Sequence, residues 1–194
     1  DFIFMMREQQ ILAAAIPALG DIPLTEYAFL CEKMSLLPDT VCKLSFLFSP
    51  LGTEKAEKAL RQLKCDNKQL KTALFLLRNA ERVFLSVGEV KRIAGENGLD
   101  RLRLLLAYRT SLGKTDDSLL AEGVTAAGEK NACTKIADLA VNGNDLASLG
   151  YKGRQIGQIL EGLLKTVTDG LVPNEKTALQ AFIKQNFSPF SDIW

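Results

Sequence analysis

The chain has 194 residues, of which 47% are hydrophobic and 24% are charged, and its formal net charge at pH 7 is +1. This balance excludes a disordered or fibrous protein, and the length allows one domain of ordinary size and a smaller one. No apolar run approaches the roughly 18 to 20 residues of a membrane span, so we expect a soluble protein. The chain starts without methionine and without a secretory signal, which suggests a piece of a longer protein.

The first half of the chain is predicted to be helical. Residues 41–48 are apolar on every side, so we expect a buried helix there. Residues 52–64 carry acidic side chains at the start and basic ones at the end, with Thr53 as the expected N-cap. Residues 67–84 place apolar side chains three and four positions apart, which predicts an amphipathic helix over that range.

Two further helices are predicted in the middle of the chain. Ser86 and Glu89 have the spacing of a capping box, so a short helix should follow and end near Gly95. Apolar residues in helical register then predict a helix over residues 99–110. A cluster of glycine and polar residues at 113–117 interrupts the pattern and is the expected domain boundary.

Strand signals are scarce, because no Asn-Gly turn lies between two alternating apolar runs. We therefore predict an all-α fold made of two small domains of short antiparallel helices. The helical body domain is expected to comprise residues 1–114, with room for the end of a neck region at its N-terminus. The helical tail domain is expected to comprise residues 115–194.

The positive charge is concentrated in the middle of the chain. Residues 61–109 hold eleven Lys or Arg against five Asp or Glu, although the whole chain is almost neutral. Such a segment is typical either of solvated helix faces or of a surface that binds a polyanion. Charge alone leaves both readings open.

No catalytic or metal-binding constellation is present in the sequence. The chain has no histidine, the commonest general base and metal ligand. The LGKT segment at 112–115 lacks the upstream glycine of a phosphate-binding loop, since Tyr108 stands in its place. No pair of aspartates flanks a single residue, and four scattered cysteines are typical of reduced thiols in a cytoplasmic protein.

Glycines crowd the stretch AVNGNDLASLGYKGRQIGQIL at 140–160. Asn144 is the expected N-cap of a short helix over 145–149, which Gly150 should end in the left-handed conformation. Gly153 then opens an amphipathic helix with apolar side chains along one face. We expect Gly157, near its start, to admit a closely packed neighbour, because glycine there costs about 1 kcal/mol of helix propensity.

The start of this second helix has two interpretations. Its unpaired backbone N–H groups and the flanking Lys152 and Arg154 would stabilise a phosphate. Alternatively, the glycines only permit a tight helix-turn-helix, and the basic side chains are solvated. The residues by themselves leave both interpretations open.

The run LAVNGNDLASLGYKGRQIGQILEGLLKTVTDGLVPNEKTALQAFIKQNF at 139–187 resembles the C-terminal end of bacterial CCA-adding enzymes, the class II tRNA nucleotidyltransferases. The distinctive parts are NGNDL, the LG followed by a G-x-x-I-G-x-I-L helix, and DG-x-x-PNEK-x-x-L, in which Pro173 precedes the last helix. Residues 1–138 agree with that family only in architecture.

The resemblance implies that the chain is the tRNA-binding body and tail of such an enzyme. These parts would grip the acceptor stem and elbow of tRNA while a missing head domain, joined through the neck, adds C, C and A. The head would need Mg, CTP and ATP, whereas we expect this chain alone to bind no cofactor or metal and to have no catalytic residue. A-form RNA can be recognised by shape, through its phosphates and 2′-hydroxyls.

The residues expected to contact RNA are a phosphate-binding group at the glycine-opened helix and a basic group in the body. They are Lys152, Gly153 and Arg154 in the first group, and Lys91, Arg92, Arg101, Arg103 and Arg109 in the second. Two other functions stay open: a helical protein-interaction module with incidental basic residues, and a poly(A) polymerase-like relative. The sequence does not indicate an oligomeric state.

Overall fold

A computed structural model describes residues 5, 11–20 and 22–187 of the chain. Within these residues helices joined by short loops predominate and no β-strand occurs, which confirms the all-α fold class. The expected end of a neck region falls on residues 1–10, which lie outside the described part except for Met5.

The helices follow one another along the chain with short connections. They are α1 (Ile11–Ala15), α2 (Pro17–Gly20), α3 (Leu24–Met34), α4 (Thr40–Phe48), α5 (Gly52–Gln62), α6 (Asn67–Asn79), α7 (Val87–Asn97), α8 (Leu99–Ser111), α9 (Ser118–Ala127), α10 (Gly143–Ser148), α11 (Arg154–Thr168) and α12 (Lys176–Asn186). Two 3-10 turns occupy Ser49–Leu51 and Ile136–Asp138.

The chain divides into two compact units. The first unit comprises Asp1–Val83 and Arg103–Asp116, and the second unit comprises Phe84–Leu102 and Asp117–Trp194. These units differ from the predicted body and tail, because residues 84–102 group with the C-terminal part of the chain. The division into independent domains at residue 114 stays a prediction.

The core of the first unit is formed where α4 packs against α6. The apolar segment predicted to be buried is buried: Phe46, Leu47 and Phe48 each expose less than a tenth of their surface. The hydroxyl of Ser45, also buried, donates a hydrogen bond of 2.7 Å to the carbonyl oxygen of Val41 within the helix. This hydroxyl is therefore satisfied in an apolar environment.

Two helix boundaries in the first unit differ from the prediction. Thr53 lies inside α5, whose N-cap position is occupied by Leu51, so the predicted threonine cap is wrong. Helix α6 ends at Asn79, five residues before the predicted end at residue 84. At its N-terminus Asp66 forms a capping box with Gln69, whose backbone N–H lies 2.7 Å from the aspartate oxygen.

In the second unit α7 packs against α9 and α11. Two glycines of α7 permit close contacts: a Cβ at Gly88 would lie 2.9 Å from the backbone of Thr168, and one at Gly95 would collide with the carbonyl group of Thr134, whose carbon would be 2.7 Å away. Helix α7 ends at Asn97, two residues after Gly95, and Gly98 follows it with a φ of +91°, which confirms the prediction of a short helix that ends near Gly95.

The predicted cap of α7 is confirmed at Ser86, whose hydroxyl accepts a hydrogen bond of 3.1 Å from the backbone N–H of Glu89. The carboxylate of Glu89 accepts from the N–H of Leu85 at 2.8 Å, one residue before Ser86. The cap thus satisfies donors at the helix start in the manner of a capping box, with the reciprocal bond displaced by one residue.

The C-terminal part of the second unit has a core of its own. Leu146 of α10, Leu163 of α11 and Leu179 and Ile183 of α12 are completely buried in it. The apolar face predicted for α11 is confirmed, because Ile159 and the side chains one turn apart from it point into this core. The three helices therefore hold the glycine-rich connection between α10 and α11 in place.

Candidate nucleic-acid interface

The NGND segment forms the cap of α10. The side-chain oxygen of Asn142 accepts hydrogen bonds from the backbone N–H groups of Asn144 and Asp145, at 2.9 and 3.1 Å. Asp145 in turn accepts from the N–H of Asn142 at 2.9 Å, which completes a capping box. Asn142, and not Asn144, is thus the N-cap, and the helix begins at Gly143, two residues earlier than predicted.

The turn between α10 and α11 is built on glycines and one tyrosine. Gly150 and Gly153 have φ angles of +97° and +53°, which residues other than glycine rarely adopt. Between them Tyr151 is only 3% exposed, and its hydroxyl donates a hydrogen bond of 2.9 Å to the carbonyl oxygen of Phe187. Tyr151 therefore anchors the turn to the core on the side away from solvent.

The three residues expected to contact phosphate follow this anchor directly. Lys152, Gly153 and Arg154 are all exposed. Gly153 occupies the N-cap position of α11 and has no side chain that could cap the helix, while the N–H of Gln155 donates to the carbonyl oxygen of Lys152 at 3.2 Å. This 15-residue helix therefore presents a partial positive charge at an exposed start flanked by two cations.

The expectation that Gly157 admits a closely packed neighbour is wrong. Gly157 is exposed, and apart from its chain neighbours and the backbone of its own helix, no atom of the described residues lies within 4 Å of the position of a Cβ there. It follows Gly153 by four residues, so the two glycines lie on the same face of α11. This face leaves the helix backbone accessible from outside over about one turn. Glu161 lies four residues after Gly157, is exposed, and places a negative charge at the end of this face.

The PNEK segment, residues 173–176, binds the chain just before α10 and the first turn of α10. The side-chain oxygen of Asn174 accepts from the N–H of Ala140 at 2.8 Å, and its amide donates to the carbonyl oxygen of Asp138 at 2.8 Å. The ammonium of Lys176 donates to the carboxylate of Asp145 at 2.6 Å. Asn174, Lys176 and Asp145 belong to the quoted family motifs. Their contacts could not be predicted from the sequence, because each joins residues more than 30 positions apart.

The carboxylates in this region are held in the ionised form. The hydrogen bond from Lys176 lowers the pKa of Asp145, and the N–H of Asn142 lowers it further. Burial raises the pKa of Asp138, but hydrogen bonds from Thr134 and Lys135 outweigh this and lower it. Both carboxylates are therefore occupied in building the structure.

The structure gives Arg92 a role within the second unit. Its guanidinium donates hydrogen bonds to the hydroxyl of Thr168 and, at 2.8 Å, to the carboxylate of Asp169. These residues lie at the C-terminus of α11, whereas Lys152 and Arg154 lie at its start. Fifteen residues of helix are about 22 Å long, so Arg92 and the helix start do not form one contact site.

The other basic residues expected to contact RNA differ in exposure. Lys91 of α7 and Arg101 of α8 are partly exposed, and the guanidinium of Arg101 donates to the carbonyl oxygen of Asn97 at 3.1 Å. Arg103 is exposed and belongs to the first unit.

Arg109 does not lie on a surface and is corrected as an RNA-binding candidate. It is 7% exposed, and its guanidinium donates to the carbonyl oxygens of Asn79, Ala80 and Arg82 at 3.0, 3.0 and 2.8 Å. Carbonyl groups at a helix C-terminus lack partners within the helix. Arg109 supplies those partners, which also explains why α6 ends at Asn79.

Two further properties of the described residues bear on function. No group of three or more His, Cys, Asp and Glu side chains among them could hold a metal ion. Nor does this part of the chain contain a helix with the length and apolarity needed to cross a membrane. None of the four cysteines is in a disulfide in the structure; Cys31, Cys42 and Cys133 are buried and Cys65 is partly exposed.

Comparison with known proteins identifies the family. No similar curated protein and no similar solved structure was found. Residues 40–183 match the family described as tRNA nucleotidyltransferase domain 2. This match extends over most of α4 to α12, including all the helices of the candidate interface. The chain therefore belongs to the tRNA nucleotidyltransferase domain 2 family.

Proposed function

We propose that the chain is the tRNA-binding body and tail of a CCA-adding enzyme of the bacterial class II type. In this proposal the head domain adds C, C and A with Mg, CTP and ATP in the cytoplasm, and it reaches the described part through a neck. The family match supports a partner of the tRNA class and favours this function over a protein-interaction module or a poly(A) polymerase-like relative.

One observation carries the proposal: an uncapped helix start flanked by Lys152 and Arg154 is exposed in a member of this family. A phosphate placed there would be attracted by the positive end of the helix dipole and by the two flanking cations. The bare face formed by Gly153 and Gly157 lets the sugar-phosphate backbone approach the helix closely. Recognition of this kind reads the shape of RNA and not its base sequence.

Filter binding of the whole chain to tRNA and to duplex DNA of similar length, at two salt concentrations, tests the proposal. We expect tighter binding to tRNA than to duplex DNA. We also expect affinity to fall as salt rises, because binding releases counterions from the phosphates and this release is less favourable at high salt. Equal and weak binding to both nucleic acids would contradict the proposal.

A pair of charge reversals locates the site. Arg154→Glu places a negative charge beside the expected phosphate and should weaken tRNA binding at least tenfold at low salt. Lys165→Glu makes the same change in the last turn of α11, at an exposed position far from the helix start, and serves as the matched control. Equal effects of the two substitutions would argue for nonspecific attraction and against a site at the helix start.

A further inference from the structure

The first unit contains a cavity of about 360 Å³ that the proposed function does not use. Its walls include the rings of Phe29 and Phe46, whose centroids lie 6.4 Å apart, together with Leu77 and Tyr108. Glu26 and Glu81 add two carboxylates to this lining. The volume is in the range of pockets for small ligands, and an apolar lining with few polar groups is typical of them. We call it the Tyr108 cavity.

Tyr108 is a buried polar residue in the lining of this cavity whose hydroxyl lacks a hydrogen-bond partner among the described residues. It is 1% exposed, and within the described part of the chain its hydroxyl forms no hydrogen bond. Burial raises the pKa of this phenol, so the hydroxyl stays protonated at neutral pH. A buried hydroxyl normally has a hydrogen-bond partner, because leaving one unsatisfied costs free energy. An unsatisfied hydroxyl in the lining of a cavity points to a ligand that supplies the partner.

The charges around the cavity indicate the class of ligand. Glu26 is exposed and forms no ion pair within the described residues, while Glu81 is paired with Lys114. The carboxylate of Glu26 therefore favours a cationic ligand. The aromatic rings of the lining favour a cation as well, because ring quadrupoles attract cations. Phe29 already has the ammonium of Lys33 at 5.8 Å from its ring centroid. A phosphate would be repelled by Glu26, so this cavity does not extend the RNA site.

We propose that the Tyr108 cavity binds an organic cation, an ammonium or guanidinium group carried on an apolar stem. The stem would pack against Phe29, Phe46 and Leu77. The cation would lie near Glu26 and donate a hydrogen bond to the phenol oxygen of Tyr108. Such a group belongs either to a free amine or to a Lys or Arg side chain of a peptide. This inference does not depend on RNA binding.

Titration of the whole chain with three probes, followed by the NMR signals of the aromatic side chains, tests the proposal. Cadaverine represents free amines, N-acetylarginine amide represents a peptide-borne cation, and neutral N-acetylnorleucine amide is the control. We expect saturable shifts with at least one cationic probe and binding at least tenfold weaker for the neutral probe. The cationic probe that binds more tightly identifies the source of the ligand. Equal binding of the neutral probe would overturn the proposal.

Two substitutions make the test specific. Glu26→Gln should weaken binding of the cationic probe about fivefold, the scale of one partly exposed ion pair. Glu32→Gln changes an exposed carboxylate on the same helix, α3, outside the cavity, and should leave binding unchanged. Tyr108→Phe should weaken probe binding without lowering the melting temperature of the free chain, because its hydroxyl has no partner to lose. A lower melting temperature for Tyr108→Phe, or unchanged binding by Glu26→Gln, would overturn the proposal.

Discussion

The ammonium of Lys176 lies 2.6 Å from a carboxylate oxygen of Asp145 and joins the first turn of α12 to the first turn of α10. Lys176 belongs to the PNEK segment and Asp145 to the NGND segment. Asn174 adds a second link, because its side chain bonds the backbone on both sides of Leu139. Two of the three segments that carry the family resemblance therefore bind each other next to the candidate interface.

The ion pair between Asp145 and Lys176 predicts a pH dependence. The pKa of Asp145 is lower in the folded chain than in the unfolded chain, where it is about 3.9. The ionised carboxylate therefore contributes its full stabilisation of the fold above a pH of about 3.9, and this contribution is lost as the pH falls through the pKa of the folded chain. Asp145→Asn should therefore lower the urea midpoint at pH 7, and this difference should shrink as the pH falls below the unfolded value. A constant difference between the two chains across this range would show that the charge is not responsible. Urea unfolding followed by circular dichroism measures both midpoints.

We expect substitution of Arg109 to lower the stability of the first unit without affecting RNA contacts. Arg109→Met removes the donor from three carbonyl groups and should destabilise the first unit by about 3 kcal/mol. Hydrogen exchange of residues 79–84 should increase, because this loop loses its attachment to α8. Arg78→Met, at an exposed position of α6, is the control and should have little effect. Equal effects of the two substitutions would contradict the assigned role.

Two glycines predict stability changes of opposite sign. Gly88→Ala should destabilise the second unit by about 2 to 3 kcal/mol, since the new methyl group collides with Asp169 and the backbone of Thr168. Gly157→Ala should stabilise it by about 0.5 to 1 kcal/mol, because alanine favours the helix and its Cβ meets open space. Thermal unfolding of both variants measures the changes. A destabilised Gly157→Ala variant would mean that this face is covered.

The same Gly157→Ala variant separates stability from binding. If the phosphate backbone approaches the bare face of α11, the added methyl group should weaken tRNA binding although the fold is more stable. Filter binding at low salt measures the effect, and Gly170→Ala is not a suitable control because Gly170 has a φ of +75°. Gln158→Ala, at the exposed neighbouring position, is the better comparison. Unchanged affinity of Gly157→Ala would place the RNA elsewhere.

Arg92 and Arg154 should respond differently to salt. Arg154→Gln should reduce the slope of log affinity against log salt by about 1, because one phosphate contact is lost. Arg92→Gln should leave that slope unchanged and lower the melting temperature, because its guanidinium binds Thr168 and Asp169. A reduced slope in Arg92→Gln would show that this side chain contacts phosphate after all. Binding titrations at four salt concentrations are sufficient for both variants.

Local patterns in the sequence determined most of the helices. The apolar spacing of residues 156–167 placed α11 and its buried face, and the Ser86 cap placed the start of α7, because both signals arise within a few residues of each other. The end of α6 was misplaced for the opposite reason. The carbonyl group of its last residue, Asn79, binds Arg109, which lies 30 positions further along the chain.

The candidate site shows the same division. The sequence by itself identified the glycine-opened helix start with Lys152 and Arg154, because glycine, charge and helix polarity act locally. Only the tertiary structure decided which arginines are available, since Arg109 and Arg154 are indistinguishable as residue types on helices. Burial against the end of α6 turned Arg109 into a partner of backbone carbonyls, whereas Arg154 at the start of α11 is exposed among the residues that the structure describes.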